Sequence, residues 1–337
     1  MKYFITGATG FIGSHVVDYL ASKNNETLSN VALFVRNPQK VKEYEKIGAR
    51  IFSGDIAELD SVTEAMSVFL PDAVIHAAAL TDDWASLDEL KKVNVTGTQN
   101  IIDAINSLKA KNEIFLLYLS SSGVYGKISQ PETTYITEET PFNAAANYQK
   151  SKLMAEELVR GATSKGTLKA AIIRPPCVMG PRDLTQSYKI YQAIKMGKFP
   201  LIDGGKAIMT WVDVQDLVEA IFLAIEKQKI ASGQVYNIRS FEVSVKDLFD
   251  AFAANIDNLK PPKSYSYRLA YAAAWISEII GKIRHKPSSL NRYRVVKFGK
   301  NRLFDASRIG ELGFAAKIDK KTAIKRTLQW INAEGLA

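Results

Sequence analysis

The feature that most constrains this chain stands at its start. Gly7-Ala8-Thr9-Gly10-Phe11-Ile12-Gly13 follows the short apolar run Lys2–Thr6 and opens a stretch of helical period over 12–22. Glycine allows a tight turn between strand and helix and lets a ligand approach the backbone where a Cβ would otherwise stand. The helix start offers unbonded N–H groups and the positive end of a dipole, an environment suited to phosphate. Strand, glycine turn and helix in this order open a nucleotide-binding α/β unit, with Gly7, Thr9, Gly10, Phe11, Ile12 and Gly13 as the pyrophosphate-facing candidates.

The rest of the chain repeats the alternation. Strand-like runs at Lys2–Thr6, Val31–Val35, Arg50–Phe52, Ala73–His76, Ile114–Ser120, Lys169–Ile173 and Gln234–Asn237 are separated by helical periods near 12–22, 60–69, 86–108, 144–164 and 214–228. That pattern predicts a doubly wound parallel sheet with helices on both faces. The alternation breaks after Arg174-Pro175-Pro176, which predicts a dinucleotide-binding domain of 1–176 plus 209–238 and a smaller, mostly helical substrate lobe of 177–208 plus 239–337.

A single cysteine, Cys177, excludes an internal disulfide, and with three histidines in all it leaves too few ligands for a metal cage, so no metal is expected. The N-terminus lacks the long apolar stretch of a signal peptide, and Leu269–Ile280 is too short to span a bilayer and carries Glu278, so cytoplasmic residence is expected. The net charge of +9 is concentrated: eight cations, Lys282 to Arg302, fall between Glu278 and Asp305 with no acid among them. No stacking platform accompanies them, and nucleic acid is not an expected partner.

Where an NAD enzyme carries an acid for the ribose 2′-hydroxyl, this chain reads Val35-Arg36-Asn37-Pro38. A guanidinium pairs with a 2′-phosphate, which favours NADP(H) and leaves NAD(H) as the alternative; stacking of Arg36 on adenine is the other reading. Asp55, beside Ile56, is placed either to accept from the adenine amino group or to cap a helix. Tyr148 and Lys152, four residues apart in a helical segment, share one face. A phenol titrates at about pH 10 until a neighbouring ammonium stabilises its phenolate, so this pair makes an acid/base. The Ser120-Ser121-Ser122 run closing the fifth strand supplies a hydroxyl for a substrate oxygen.

Together these motifs resemble the extended short-chain dehydrogenase/reductase family, the NAD-dependent epimerase/dehydratase superfamily, over essentially the full length. His76-Ala77-Ala78-Ala79, Asn94-Val95-Thr96-Gly97-Thr98, Arg174-Pro175-Pro176 and Val212-Asp213-Val214 match as well. The resemblance implies a Rossmann-type domain and an oxidoreductase. It places the catalytic serine four residues before Tyr125, at Ser121, with Ser120 and Ser122 as alternatives. It also puts Lys152 on the nicotinamide ribose and the residues after Arg174, beginning with Pro175, near the carboxamide, with Ala77, Ala78 and Ala79 as further cofactor contacts.

Met209 stands where nucleotide-sugar members commonly carry a diphosphate-binding arginine. Pro287-Ser288-Ser289-Leu290-Asn291-Arg292, Phe304-Asp305 and Leu312-Gly313-Phe314 instead resemble the tail of 3β-hydroxysteroid dehydrogenase-like proteins, and Val35-Arg36 after the second strand is similar to the neighbouring dihydroflavonol reductase-like branch. The expected activity is therefore an alcohol dehydrogenase or ketone reductase for a largely apolar small molecule, such as a sterol, flavonoid or ketoacid. The alternatives are a nucleotide-sugar epimerase or dehydratase with retained NAD, and a non-catalytic dinucleotide sensor. The stripe Tyr265, Tyr267, Leu269, Tyr271, Trp275, Ile276, Ile279 and Ile280 reads as an apolar wall or lid, as core packing, or, with the basic run up to 302, as a peripheral membrane contact. A homodimer through 86–108 and 144–164 is expected from the resemblance.

Overall fold

The computed structural model describes residues 1–23, 27–82, 84–109, 113–126, 133–257, 259–284 and 290–336. Among these, twelve strands form: β1 (Tyr3–Thr6), β2 (Val31–Val35), β3 (Arg50–Ser53), β4 (Ala73–His76), β5 (Phe115–Leu119), β6 (Lys169–Arg174), β7 (Cys177–Met179), β8 (Leu201–Ile202), β9 (Ile208–Asp213), β10 (Val235–Asn237), β11 (Phe241–Ser244) and β12 (Ser264–Tyr265). The helices that position the site are α1 (Phe11–Lys23), α2 (Leu59–Phe69), α3 (Gly97–Ser107), α4 (Asn147–Ser164), α5 (Val214–Glu226), α6 (Tyr267–Ile283) and α7 (Arg292–Gly299).

Seven strands make one sheet in the order β10-β6-β5-β4-β1-β2-β3, with every neighbour pair parallel. Strands such as Val31–Val35 and Phe115–Leu119 are apolar at every position and buried throughout, as a sheet covered on both faces requires. One face packs under α1 and α5 with Val16, Val17, Leu217 and Ile221 in its core. The other carries α2, α3 and α4 through Met66, Ile101, Ile105, Ala155 and Val159. The helical stretches expected to carry a dimer contact thus spend these apolar residues in the core.

From β1 the chain winds outward through β2 and β3 and then returns to place β4 on β1's other side. The crevice above the carboxyl ends of β1 and β4 is therefore the switch point, where α/β sheets receive ligands. The chain's Rossmann-type α/β fold is the one its alternation predicts.

Outside the large sheet, β7, β9 and β11 form a second sheet around the buried Trp211, and β8 pairs with β12. Within 209–238, β9 lies in this small sheet, whereas α5 and β10 return to the large one. The five strands β7, β8, β9, β11 and β12 are absent from the sequence reading. Four of them are only two to four residues long, too short for a period of two to stand out. The helix read over 86–108 is a rod whose middle, Lys91–Thr96, widens into a π turn between Leu87–Leu90 and α3.

Candidate active site

At the switch point the glycine turn is built as its spacing demands. Gly7 has φ +79°, and a Cβ there would fall 2.6 Å from the Ala78 amide nitrogen. A Cβ on Gly13 would collide with the Gly7 carbonyl, so that residue sets how closely α1 approaches β1. The first bond of α1 runs from the Ser14 amide to the Gly10 carbonyl at 2.9 Å, so the amides of Phe11, Ile12 and Gly13 precede the helical ladder. A Cβ on Gly10 would meet only the Gly7 carbonyl, at 3.2 Å, and otherwise fill open space above the turn. This cradle fits a dinucleotide pyrophosphate, which Gly7, Gly10 and the amides of 11–13 would hold.

Beside it, a chain of hydrogen bonds ties β1, β4 and the π turn together. The Ala78 amide donates to Thr6 Oγ1 at 3.3 Å, and Thr6 Oγ1 lies 2.7 Å from His76 Nδ1. His76 Nε2 lies 3.1 Å from Thr98 Oγ1, whose proton goes to the Asn94 carbonyl at 2.7 Å. With the Thr98 proton committed, Nε2 donates, and in the neutral imidazole Nδ1 then accepts from the Thr6 hydroxyl. Burial drives the His76 pKa down to about 3 and keeps the ring neutral. Thr6 and His76 thus fix the Ala77–Ala79 backbone, and His76 is structural.

Asn94, buried in the π turn, satisfies its whole amide. Its Oδ1 accepts from the Leu80 amide at 2.7 Å, and its Nδ2 donates to the Leu80 carbonyl at 3.0 Å and to Ser151 Oγ at 2.9 Å. The loop after β4 is thereby locked to α4. Past β3, Asn100 donates to the Ile56 carbonyl at 2.8 Å, and Asp55 accepts from the Ala57 amide at 2.9 Å, closing a turn rather than capping the helix, whose N-cap is Glu58. Arg36 is exposed at the end of β2 and enters none of the ion pairs among the described residues.

The three serines after β5 divide by environment. Ser120 is buried and donates to Glu156 Oε2 at 2.6 Å, and Ser122 is buried with its amide on the Pro175 carbonyl. Ser121 alone of the three is not buried. Its Oγ accepts from the Gly123 amide at 3.0 Å, which leaves the hydroxyl proton to donate elsewhere.

Across from it, α4 carries Tyr148, Lys152 and Glu156 at successive turns of one face. Tyr148 is half-buried on the first turn. Lys152 is 3% exposed, donates to the Leu119 carbonyl at 2.6 Å, and lies 4.4 Å from the centre of the Tyr118 ring. Burial lowers its pKa to about 7, and Glu156 pulls it back up. The ammonium is therefore held near its titration point rather than permanently charged.

Glu156 has no role in the sequence reading, yet it anchors the site. It is fully buried and pairs bidentately with Arg174, the last residue of β6. Arg174 Nη1 continues to the Tyr125 hydroxyl at 2.6 Å, which donates to Asn237 Oδ1 at 2.8 Å. Its position eight residues beyond Tyr148 was the available signal.

Alongside Met209, buried in β9, the chain at Arg302 pairs in a bridge. The Arg302 guanidinium is almost wholly buried and donates to the Gly126 carbonyl at 3.0 Å; burial pushes its pKa down. Among the described residues no group of three or more His, Cys, Asp or Glu is placed to hold a metal ion.

The chain belongs to the NAD dependent epimerase/dehydratase family, whose model matches residues 3–238, and its relatives are enzymes of NAD-dependent oxidoreductase type. It is 28% identical over 331 residues to an N-acetyl-alpha-D-glucosaminyl-diphospho-ditrans,octacis-undecaprenol 4-epimerase of Escherichia coli O157:H7, covering 97% of this chain and 94% of that protein. It is 27% identical to a decarboxylating sterol-4-alpha-carboxylate 3-dehydrogenase of Schizosaccharomyces pombe, covering 99% and 98%. Among solved structures, gox2253 superposes with a TM-score of 0.80 at 25% identity over 99% of this chain and 98% of that one. The UDP-glucose 4-epimerase of Thermus thermophilus, solved in complex with NAD, does so at 0.74 and 21% identity over 98% and 99%.

Proposed function

We propose that this chain transfers a hydride between NADP(H) and the hydroxyl or keto carbon of a bulky, largely apolar substrate. A bound nicotinamide dinucleotide would supply or accept the hydride. Ser121 donates its free proton to the substrate oxygen, Tyr148 moves the proton on that oxygen, and Lys152 stabilises the phenolate from one turn away. The observation that carries this reading is the position of Lys152: a buried amine one helical turn from Tyr148, bonded to the Leu119 carbonyl at the end of β5. Pro175 and Ala77–Ala79 border the crevice where the nicotinamide half would lie.

The buried Met209 supports the apolar substrate, because it removes a bidentate anion clamp. A panel of ketones, sterols, flavonoids and nucleotide sugars, assayed with NADPH and NADP⁺, tests this. Turnover of a ring ketone or sterol is expected, and turnover confined to nucleotide sugars would reject it.

Arg36 supports NADP(H), being an exposed cation with no ion-pair partner among the described residues, at the end of β2 where the adenosine ribose would sit. Arg36→Asp is expected to reverse the preference, lowering kcat/KM for NADPH relative to NADH by about 10²-fold, since one charge-assisted bidentate pair is worth roughly 1.5–3 kcal/mol. An unchanged ratio of the two kcat/KM values would remove Arg36 from the cofactor site.

A second reading, epimerisation or dehydration with the hydride returned to the substrate, is favoured by Arg302, a buried cation beside Met209. Stoichiometric NAD remaining on the purified protein would select this reading.

A further inference from the structure

We infer that the outward face of α6 seats the protein on an anionic membrane surface. The stripe read in the sequence as a wall, lid or core helix divides in the structure. Tyr267, Ala270, Tyr271 and Ala274 turn inward onto Ile202, Val295 and Phe298. The other side of the helix presents Leu269, Trp275, Ile276, Ile279, Ile280 and Ile283, with Leu269 68% and Ile283 73% exposed. Ala272 and Ala273 are exposed between them. The helix is thus apolar on its outward face as well as toward the core, whereas a surface helix ordinarily turns polar residues outward. An exposed apolar face with several large side chains marks an interaction surface.

Charge selects the occupant. From 259 to 284 the sole acid is Glu278, and it is turned away into a bidentate contact with Arg292, whose Nε lies 2.8 Å from Oε2 and whose amide lies 2.7 Å from Oε1. Among the described side chains the apolar strip from Leu269 to Ile280 carries no charge, while Arg268 and Arg284 are exposed at its two ends and Lys260 and Lys263 just before it. A second copy docked face to face would set Arg268 and Arg284 near their own counterparts with no acid on the strip itself free to answer them, since Glu278 is held by Arg292. Anionic headgroups answer them, and the apolar centre enters the headgroup–acyl boundary. Trp275, in the middle of the face, suits that boundary. With 17 residues the helix is about 25 Å long, and no helix of the described residues is long and apolar enough to cross a membrane, so α6 lies in the interface plane. Of the predicted contact, residues 285–289, with Lys286 and the Pro287-Ser288-Ser289 motif, lie outside the described residues, while Arg292, Arg294, Lys297 and Arg302 of the basic run engage Glu278, the Trp84 ring, Gln186 and the Gly126 carbonyl, so the inference rests on α6 and the cations beside it. The inference is independent of the hydride-transfer reading, because it concerns a surface and is tested without turnover.

The test is cosedimentation of the full chain with vesicles of phosphatidylcholine alone or mixed with phosphatidylglycerol, at low and at physiological salt. Binding to the anionic vesicles is expected, about tenfold or more tighter than to phosphatidylcholine and weakened by salt. The variant Ile276→Glu/Ile279→Glu, at exposed positions, is expected to keep the wild-type melting temperature and to lose about a hundredfold in vesicle partitioning. Brominated lipids are expected to quench wild-type emission more than that of Trp275→Phe. Failure to sediment with anionic vesicles at low salt overturns the inference, as does equal sedimentation of the double variant. A dimer in analytical ultracentrifugation that the double variant dissociates, without vesicle binding by either protein, overturns it in favour of a second copy.

Discussion

Tyr148→Phe is expected to lower turnover by about 10²–10⁴-fold while cofactor affinity stays within a few-fold of wild type, because the change removes one proton-transferring oxygen and leaves the ring in place. Steady-state kcat together with cofactor binding by fluorescence titration checks both halves. The split matters because the residues that would hold the pyrophosphate, Gly7, Gly10 and the first amides of α1, belong to a different element from α4. Loss of cofactor affinity in parallel with turnover would point to a binding role for the phenol, and unchanged turnover would remove it from the chemistry. The large effect follows from the neighbouring lysine. Burial lowers the Lys152 pKa to about 7, so at neutral pH its charge is sensitive to charge forming nearby, and a phenolate one turn away favours the ammonium. The phenylalanine side chain cannot supply that charge, and the coupling disappears with the proton.

Most of the fold and part of the site were legible from the sequence because two different periods wrote them. All seven strands of the large sheet fall on runs read from the sequence; inner strands such as β2 and β5 are apolar throughout because both faces are buried, whereas the edge strand β3 carries exposed Arg50 and Ser53. Helices such as α2 and α5 announce themselves by spacing at three and four. Gly7 and Gly13 are legible for a sterner reason: one holds φ +79° and the other faces a carbonyl too close for any Cβ. What escaped was written in neither period. The π turn at Lys91–Thr96 depends on Asn94 bonding both to Leu80 and to Ser151, partners 14 and 57 residues away. The basic run after Glu278 reads as one charged surface, yet Arg292 pairs with Glu278, Arg294 lies over the Trp84 ring at 5.8 Å, and Arg302 is buried. The apolar stripe of α6 was visible, but which side would face the protein depended on Ile202, Val295 and Phe298, residues distant in sequence.

Glu156→Ala is expected to destabilise the protein by about 3–5 kcal/mol, since it leaves the Arg174 guanidinium buried without its counter-charge. For a chain of 337 residues this corresponds to a melting temperature lower by roughly 4–7 °C. Both partners are essentially inaccessible, at 0% and 1% exposure, so neither can turn to water when the other is removed. The Ser120 hydroxyl, which donates to Glu156 at 2.6 Å, loses its acceptor in the same change. Replacing both charges, as Glu156→Leu/Arg174→Met, is expected to recover much of the loss, because apolar groups of similar volume need no desolvation of charge. A thermal-melt double-mutant cycle reads the coupling directly, and a single-variant loss below about 1 kcal/mol would place this pair among the weak surface bridges it does not resemble. Recovery of stability is not expected to restore the wild-type pH profile. Glu156 is the group that raises the Lys152 pKa against burial, so without it the lysine loses its proton at lower pH, and the alkaline limb of turnover should move acid-ward. A variant that is as stable as wild type yet shifted in this way would separate the two roles of Glu156: it holds α4 to β6, and it sets the charge beside Tyr148.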